Sequence, residues 1–352
     1  EIKVQAPGSK SITNRALLLA AISGEKCRLR GVLFSDDSRA FLESLIGLGF
    51  QVDINEEEKE VTVRGTGGKI PDTHGKINVR SAGTAARFLT VMLALAGGEY
   101  ELAASPQMCR RPMEPLLHIL QEAGVRFDFQ GEEGHFPFSM SSPAGGFASE
   151  EKGEFSLAEV KIDTGVSSQF ASALLMVGVL LPGGLTVTLE GARAESPYIN
   201  MTIAMMKQFG IEVRREGRSC HIPHKEIFGC KEYRIEPDVS GACYFYAMAP
   251  LLKTDVIVNN VHENSLQGDI RFLDVLERMG CRREDTNEGI RISGSRLLGY
   301  PGIDVSMRDF SDQTMTLAAL APFAEGPVLI RDVGHIRLQE SDRIAAILTE
   351  LG

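Results

Sequence analysis

The 352-residue sequence contains little from which a metal centre, a disulfide scaffold or a membrane anchor could be built. Its six cysteines, at 27, 109, 220, 230, 243 and 281, include no Cys-x-x-Cys pair and follow no regular spacing. That pattern excludes a zinc ribbon and a disulfide framework, and it leaves reduced thiols in a cytoplasmic protein as the reading. The seven histidines form no ligand motif: His221 and His224 are close, but no acid or cysteine pair accompanies them. No apolar run reaches membrane-spanning length. The longest, near residues 170–181, is broken by small residues and ends at Pro182-Gly183-Gly184. From the residues that follow Glu1, a secretory leader is not expected. Basic excess is also missing. A net charge of −10 argues against nucleic acid or an anionic membrane as partner, although a small anionic substrate needs only local positive charge.

What the chain does have is a repeat. Leu45-Ile46-Gly47-Leu48-Gly49-Phe50-Gln51-Val52 reads as a helix end, a glycine stop and a strand start. The same punctuation returns at Gly124, Gly210, Gly280 and Gly352, so that it recurs every roughly 70 to 86 residues, the mark of one supersecondary unit used several times. A second series runs in step. Small-residue apolar segments open on serine at 11–23, 81–96, 167–181, 240–252 and 311–324, each followed by a β-rich run. One unit therefore reads as a buried Ala-rich helix, a strand, an amphipathic helix, a glycine and one or two strands. Asp36, Asp269 and Ser341 are expected to cap the amphipathic helices, whose apolar positions (Phe41, Leu42, Leu45 and Leu48; Ile270, Leu273 and Leu276) recur at helical spacing. The length calls for two domains, and 43% hydrophobic with 24% charged residues is ordinary globular composition.

Basic residues stand at the openings of the Ala-rich helices: Lys10 and Arg15, then Arg80 and Arg87. A helix N-terminus offers unpaired N–H groups and the positive end of a dipole. Glycine and serine there let an anion approach the backbone and add hydroxyl donors. At any one helix, ordinary capping explains such residues. Five helix starts in register, with lysine and arginine added, point to a site for small polyanions.

The motifs are also recognisable. Pro7-Gly8-Ser9-Lys10-Ser11-Ile12-Thr13-Asn14-Arg15-Ala16-Leu17-Leu18-Leu19-Ala20-Ala21 resembles the opening signature of the 5-enolpyruvylshikimate-3-phosphate synthases. Ser81-Ala82-Gly83-Thr84-Ala85-Ala86-Arg87 is similar to that family's second signature, with Ser81 where asparagine is usual. Met108-Cys109-Arg110-Arg111-Pro112-Met113, Ser167-Ser168-Gln169-Phe170, Pro197-Tyr198-Ile199 and Gln339-Glu340-Ser341-Asp342-Arg343-Ile344 match in order and spacing, so the resemblance covers the whole chain.

The resemblance implies an α/β fold of the enolpyruvyl transferase type, a two-domain inside-out α/β barrel built from βαβαββ units. One domain would span 8–237, with three units. The other would be 1–7 plus 238–352, with two of three units present. It also implies transfer of the enolpyruvyl group of phosphoenolpyruvate to the 5-hydroxyl of shikimate 3-phosphate, a step towards chorismate and the aromatic amino acids. On the same resemblance, neither a metal nor an organic cofactor is expected to take part, and the herbicide glyphosate is expected to compete with phosphoenolpyruvate. A cytoplasmic monomer acting on small molecules, without nucleic acid or membrane, is expected.

By motif match, Asp312, Glu340 and Lys10 are the catalytic set. Lys10, Ser11, Arg15, Ser167, Ser168, Gln169, Ser196, Tyr198, Asp312, His335 and Gln339 match the shikimate 3-phosphate site. Lys10, Gly83, Arg111, Gln169 and Arg343 match the phosphoenolpyruvate site. On general grounds, attack of a hydroxyl on an enol carbon needs a base at the hydroxyl and an acid for the methylene carbon, with cations around the departing phosphate. Alone, Asp312 would read as an N-terminal helix charge and Glu340 as a first-turn acid paired with Arg343.

The chain departs from the family pattern at four places: Gln339 for lysine, Glu195 for serine with Ser196 one place later, His335 for asparagine, and Ser81 as noted. The family's late Asp-His-Arg motif and lysine would lie beyond Gly352, so the expectation is a chain that lacks a C-terminal unit and turns over poorly. Two alternatives stand beside the first reading. One is a binding-competent but inactive fragment. The other is the sister enzyme acting on UDP-N-acetylglucosamine, which typically has lysine-asparagine after the first Pro-Gly and a reactive cysteine several residues before Arg-Pro. Lys10-Ser11 with Arg15, and Cys109 only two residues before Arg111, favour the first reading over that enzyme.

Overall fold

The computed structural model describes residues 1–142, 157–165, 167–191, 196–338 and 341–352. The chain divides into two compact units, one of residues 9–235 and one of 1–8 with 236–352.

Among the described residues, unit 9–235 holds three four-stranded sheets of one design. In the first, Glu232–Arg234 pairs parallel with Lys26–Arg30, which pairs antiparallel with Glu60–Arg64 and that in turn with Val52–Asn55. The second repeats the order with His74–Asn78, Gly98–Ala103, Phe138–Ser142 and Arg126–Phe129. The third repeats it with Glu159–Asp163, Leu185–Glu190, Ser219–Ile222 and Arg214–Glu216. A parallel pair needs a crossover connection. In the second and third sheets, helices Gly83–Ala96 and Ser168–Val177 supply it. Helix Lys10–Ile22 leads into the corresponding strand of the first sheet.

These three helices consist of Ala, Leu, Val, Ile and Phe on almost every side, and a helix that is apolar all round must be buried. Nearly every residue of each is buried. Large side chains such as Phe88, Leu89, Phe170 and Leu174 stabilise the unit by about 1.5–3 kcal/mol each. The strands alternate: Cys27 and Leu29 are buried while Lys26 and Arg28 are exposed, so each sheet turns one face to solvent.

The amphipathic helices follow: Asp36–Gly47, Glu114–Glu122 and Pro197–Gln208. Phe41, Leu42, Leu45 and Leu48 are all buried, as their spacing required. The repeating glycines have a common cause. Gly49, Gly124, Gly210, Gly280 and Gly352 all take a left-handed φ, between 79 and 101°, which ends a helix at little steric cost.

The caps are displaced from their expected positions. Ser35, not Asp36, caps Asp36–Gly47, forming a reciprocal box with Ser38, and Asp36 falls inside the first turn. Asp342, not Ser341, caps Arg343–Leu351 through Ala345 N. Asp269 is not a cap at all. It is buried in the short turn Gly268–Arg271 and takes hydrogen bonds from elsewhere.

In the other unit, Ile2–Val4 pairs parallel with Asp255–Val258, and the sheet continues antiparallel through Gly289–Ser293 to Arg282–Thr286. Thus the N-terminal strand completes a sheet whose other strands come after residue 236, while Glu232–Arg234 completes the first sheet of unit 9–235. Where the chain re-enters, Glu236 accepts from Ser265 Oγ (2.7 Å), Leu266 N (3.2 Å) and Gln267 Nε2 (3.1 Å), and Asp238 N donates to Pro7 O at 2.7 Å. Strands Asp304–Ser306 and Leu329–Arg331 form a parallel pair, joined through the turn Arg308–Gln313 and helix Thr314–Leu320. Among the described residues no helix is long and apolar enough to cross a membrane.

Candidate functional site

In unit 9–235 the candidate residues gather at the starts of the three buried helices. Lys10 is the first residue of Lys10–Ile22, and its half-exposed Nζ lies 3.4 Å from Asp37 Oδ2. One turn on, Arg15 is buried. Its Nε donates to Thr202 Oγ1 (2.7 Å), Nη1 to Ser11 O (3.0 Å) and Nη2 to Ser172 Oγ (3.2 Å). The guanidinium sits 5.5 Å from the Phe88 ring centroid and 5.9 Å from that of Tyr198. Burial pushes its pKa down to about 10, still well above neutral, so Arg15 enters the protein as a cation. The groups that hold it are neutral oxygens and ring faces. Charge-assisted hydrogen bonds of about 1.5–3 kcal/mol each offset its desolvation without cancelling its charge.

The second helix start repeats the design. Arg87, four residues after Gly83, is buried, donates from Nη1 to Gly83 O at 3.0 Å, and lies 5.5 Å from the Phe170 centroid. Arg15 and Arg87 therefore each donate to the carbonyl one turn earlier, and each sits over a phenylalanine of the next buried helix in the chain. Gly83 is the first residue of its helix, and among the described residues no side chain caps that end. A Cβ built on Gly83 would stand 2.5 Å from Arg111 Nη1 and 2.6 Å from Arg87 Nη1. Two guanidinium groups thus converge on one uncapped helix N-terminus, where only glycine leaves them room.

The third helix start carries Ser167, Ser168 and Gln169. Ser167 caps Ser168–Val177 by accepting from Gln169 N at 3.2 Å. Gln169 Nε2 reaches Thr84 Oγ1 at 3.4 Å, which joins the second and third helix starts, while its buried Oε1 has no hydrogen-bond partner among the described residues. Ser196 opens helix Pro197–Gln208 with its hydroxyl buried and likewise without a hydrogen-bond partner. Ser81, in place of the usual asparagine, shares a 2.7 Å hydrogen bond with Ser105.

In the other unit, Asp312 belongs to the turn Arg308–Gln313, and Arg343 is the first residue of Arg343–Leu351. Arg343 Nη1 donates to Asp312 Oδ1 at 2.7 Å, with both side chains partly buried. His335 Nε2 and Ser311 Oγ are 2.8 Å apart. Next to Asp312 in the chain, Gln313 joins a polar network centred on Asp269, which accepts from Ser240 Oγ and, at 3.0 Å, from Gln313 Nε2. Burial, reinforced by the charge of Asp312, raises the Asp269 pKa to about 6. Gln339, Glu340 and Glu195 lie outside the described residues.

Sequence reasoning alone missed several of these groups. Thr202 and Ser172 hold Arg15 from distant helices, and no local signal marks them. Asp37 as the partner of Lys10 was equally hidden. Arg87 was not among them: the sequence already marks it at the opening of the second Ala-rich helix, where it follows Gly83 by the same four residues that separate Arg15 from Ser11. Among the described residues no cluster of histidine, cysteine, aspartate or glutamate could hold a metal ion. The arrangement offers cations and hydroxyls for anionic groups in one unit, and a carboxylate, an arginine and a histidine in the other.

Comparison with known proteins agrees with this chemistry. Residues 1–352 match the family described as EPSP synthase (3-phosphoshikimate 1-carboxyvinyltransferase). The 3-phosphoshikimate 1-carboxyvinyltransferase of Trichormus variabilis is 39% identical over 349 residues, covering 99% of this chain and 79% of that protein. The Nostoc punctiforme protein of the same name is 40% identical, with the same coverage. The EPSP synthase of Acinetobacter baumannii has the same fold, with a TM-score of 0.77 at 24% identity over 99% of this chain and 77% of its own. The enolpyruvyl transferase NikO of Streptomyces tendae is similar in fold at a TM-score of 0.69 and 15% identity, covering 95% of this chain and 75% of its own. The chain is a member of the EPSP synthase family, with the α/β enolpyruvyl transferase fold.

Proposed function

We infer that this protein transfers the enolpyruvyl group of phosphoenolpyruvate to the 5-hydroxyl of shikimate 3-phosphate, releasing phosphate, and that the residues gathered above perform the reaction. Membership of the family supports the activity. The observation that carries the site assignment is the convergence of Arg87 and Arg111 on Gly83, beside a helix start that also connects to Gln169. Both substrates carry a phosphate and a carboxylate. They therefore need several cations and N–H donors in a protein whose net charge is −10.

In this assignment Arg15, Ser11, Ser167, Ser168, Gln169, Ser196 and Tyr198 bind shikimate 3-phosphate. Arg15 acts there as a rigid, permanently charged group beneath the hydroxyls. Lys10, Gly83, Arg111, Gln169 and Arg343 bind phosphoenolpyruvate. Asp312, with His335 and Gln339, holds the shikimate hydroxyls, and Glu340 works at the transferred carbons. The reaction adds a proton to the methylene carbon of phosphoenolpyruvate and joins the 5-oxygen to its C2, with loss of the hydroxyl proton. It then removes a proton from the new methyl group as the C2–O bond to phosphate breaks. Two carboxylates and a lysine suffice for these transfers, and the arginines balance the charge on the leaving phosphate. The domain carrying the phosphate-binding helices is taken as 8–237 and the carboxylate domain as 1–7 with 238–352. The protein works in the cytoplasm as a monomer.

A titration tests the substrate assignment. Shikimate 3-phosphate should raise the melting temperature of the protein, and Arg15→Gln should remove most of that rise. An equal rise in both proteins would show that Arg15 does not bind this substrate.

A further inference from the structure

Two cysteines that the site assignment does not use lie together. Cys27 is on strand Lys26–Arg30, pointing into the core, and Cys230 lies two residues before the edge strand Glu232–Arg234. These strands are adjacent and parallel, with Glu232 opposite Arg28, and Arg28 N donates to Lys231 O at 2.9 Å. That register brings the two sulfur atoms within 3.6 Å of each other. Adjacent parallel strands fix the separation of the two chain segments, so only small side-chain rotations separate this contact from a bond. The other four cysteines are Cys109, Cys220, Cys243 and Cys281.

We propose that Cys27 and Cys230 form an oxidisable dithiol, a modification site at which a peroxide closes a disulfide that pins the edge strand Glu232–Arg234 to the first sheet. The roles of the two differ. Cys230 is partly exposed and shares a weak hydrogen bond with Cys27, which holds its pKa below the ordinary thiol value. Cys27 is fully buried, and the same contact together with burial raises its pKa. The Cys230 thiolate is therefore the attacking group and Cys27 the resolving one. In the first step the thiolate attacks hydrogen peroxide, the O–O bond breaks, hydroxide leaves, and Cys230 becomes a sulfenic acid. In the second, Cys27 sulfur attacks the Cys230 sulfur and the S–O bond breaks. The hydroxyl group departs with the Cys27 proton as water. Two electrons pass from the thiol pair to the peroxide.

The bond would join the strand at the start of unit 9–235 to the segment that ends it. Glu232–Arg234 is the last strand before the chain crosses at residue 235 into the other unit. It is three residues long and, among the described residues, pairs on one side only, which makes it the part of this sheet most easily lost. A cross-link closing so long a loop removes much unfolded-state freedom.

The test treats the whole protein with hydrogen peroxide, blocks remaining thiols by alkylation, and maps unreduced peptides by mass. The expected result is one linked pair containing Cys27 and Cys230, lighter by two hydrogens and reversed by dithiothreitol. The melting temperature should rise by roughly 5 °C. In Cys27→Ala, dimedone should trap the Cys230 sulfenic acid, whereas the parent should give little adduct. If Cys230 in the parent passes to sulfinic acid while Cys27 remains alkylatable, the pair is not a dithiol and the proposal fails. A linked pair without a rise in melting temperature would overturn the pinning of the strand.

Discussion

Arg343 Nη1 donates to Asp312 Oδ1 at 2.7 Å, so the arginine assigned to phosphoenolpyruvate and the carboxylate assigned to the shikimate hydroxyls form one ion pair. The two groups belong to elements 31 residues apart. The contact holds the two side chains against each other. Asp312→Asn should lower kcat on the order of 10²-fold with a smaller effect on substrate affinity. Arg343→Met should chiefly raise the KM for phosphoenolpyruvate, by roughly ten-fold. The double variant should lose less than the product of the two, because each single change already disrupts the pair. Steady-state kinetics on the three variants checks this, and independent, multiplying effects would show that the pair is not a functional unit.

Gly83 makes a sharper steric prediction. A methyl group there meets Arg111 Nη1 at 2.5 Å and Arg87 Nη1 at 2.6 Å, well inside contact distance. Arg111 is only half-buried, so its head moves more readily than that of buried Arg87. Gly83→Ala should therefore fold, displace the Arg111 guanidinium, and raise the KM for phosphoenolpyruvate by roughly ten-fold, as the loss of one charge-assisted hydrogen bond would. Inhibition by glyphosate should weaken in parallel. An unchanged inhibition constant would leave Gly83 a packing residue.

Arg15 should not tolerate lysine. Its three donors reach Thr202, Ser11 O and Ser172 in a fork that an ammonium group cannot reproduce. Arg15→Lys should cost on the order of 2 kcal/mol of stability, because buried acceptors lose their donors. A denaturant titration reads this, and a loss below a few tenths of a kcal/mol would mean that the hydroxyls find other partners.

How much of this was visible in the sequence depended on the range of the interaction. The repeat was legible because each unit ends a helix with a glycine at left-handed φ, and that requirement is local. The buried helices were legible because their apolar residues cover every side. The caps were read one residue off where two good capping residues adjoin, as at Ser35 and Asp36 or Ser341 and Asp342. Asp269 was misread outright. Its partners Ser240 and Gln313 are 29 and 44 residues away, and nothing near it in sequence shows that it is buried. The pairing of Asp312 with Arg343 and the cage around Arg15 were hidden for the same reason.

Asp269 also predicts a pH dependence. Its folded-state pKa, about 6, lies above the ordinary 3.8. A carboxyl group with a raised pKa contributes its stability fully below the unfolded value, and that contribution is lost as pH rises through about 6. Asp269→Asn keeps an oxygen for Ser240 and Gln313 but cannot ionise. Relative to the parent, its stability should improve by on the order of 2 kcal/mol between about pH 4 and pH 7. Parallel stability curves for the two proteins over that window would show that Asp269 is not held protonated.

The protein should be incubated with phosphoenolpyruvate and either shikimate 3-phosphate or UDP-N-acetylglucosamine, with phosphate measured and the organic product identified by mass. Phosphate release should depend on shikimate 3-phosphate and be accompanied by its 5-enolpyruvyl ether. Faster turnover of the UDP-sugar, or phosphate release without the shikimate ether, would contradict the proposed transfer.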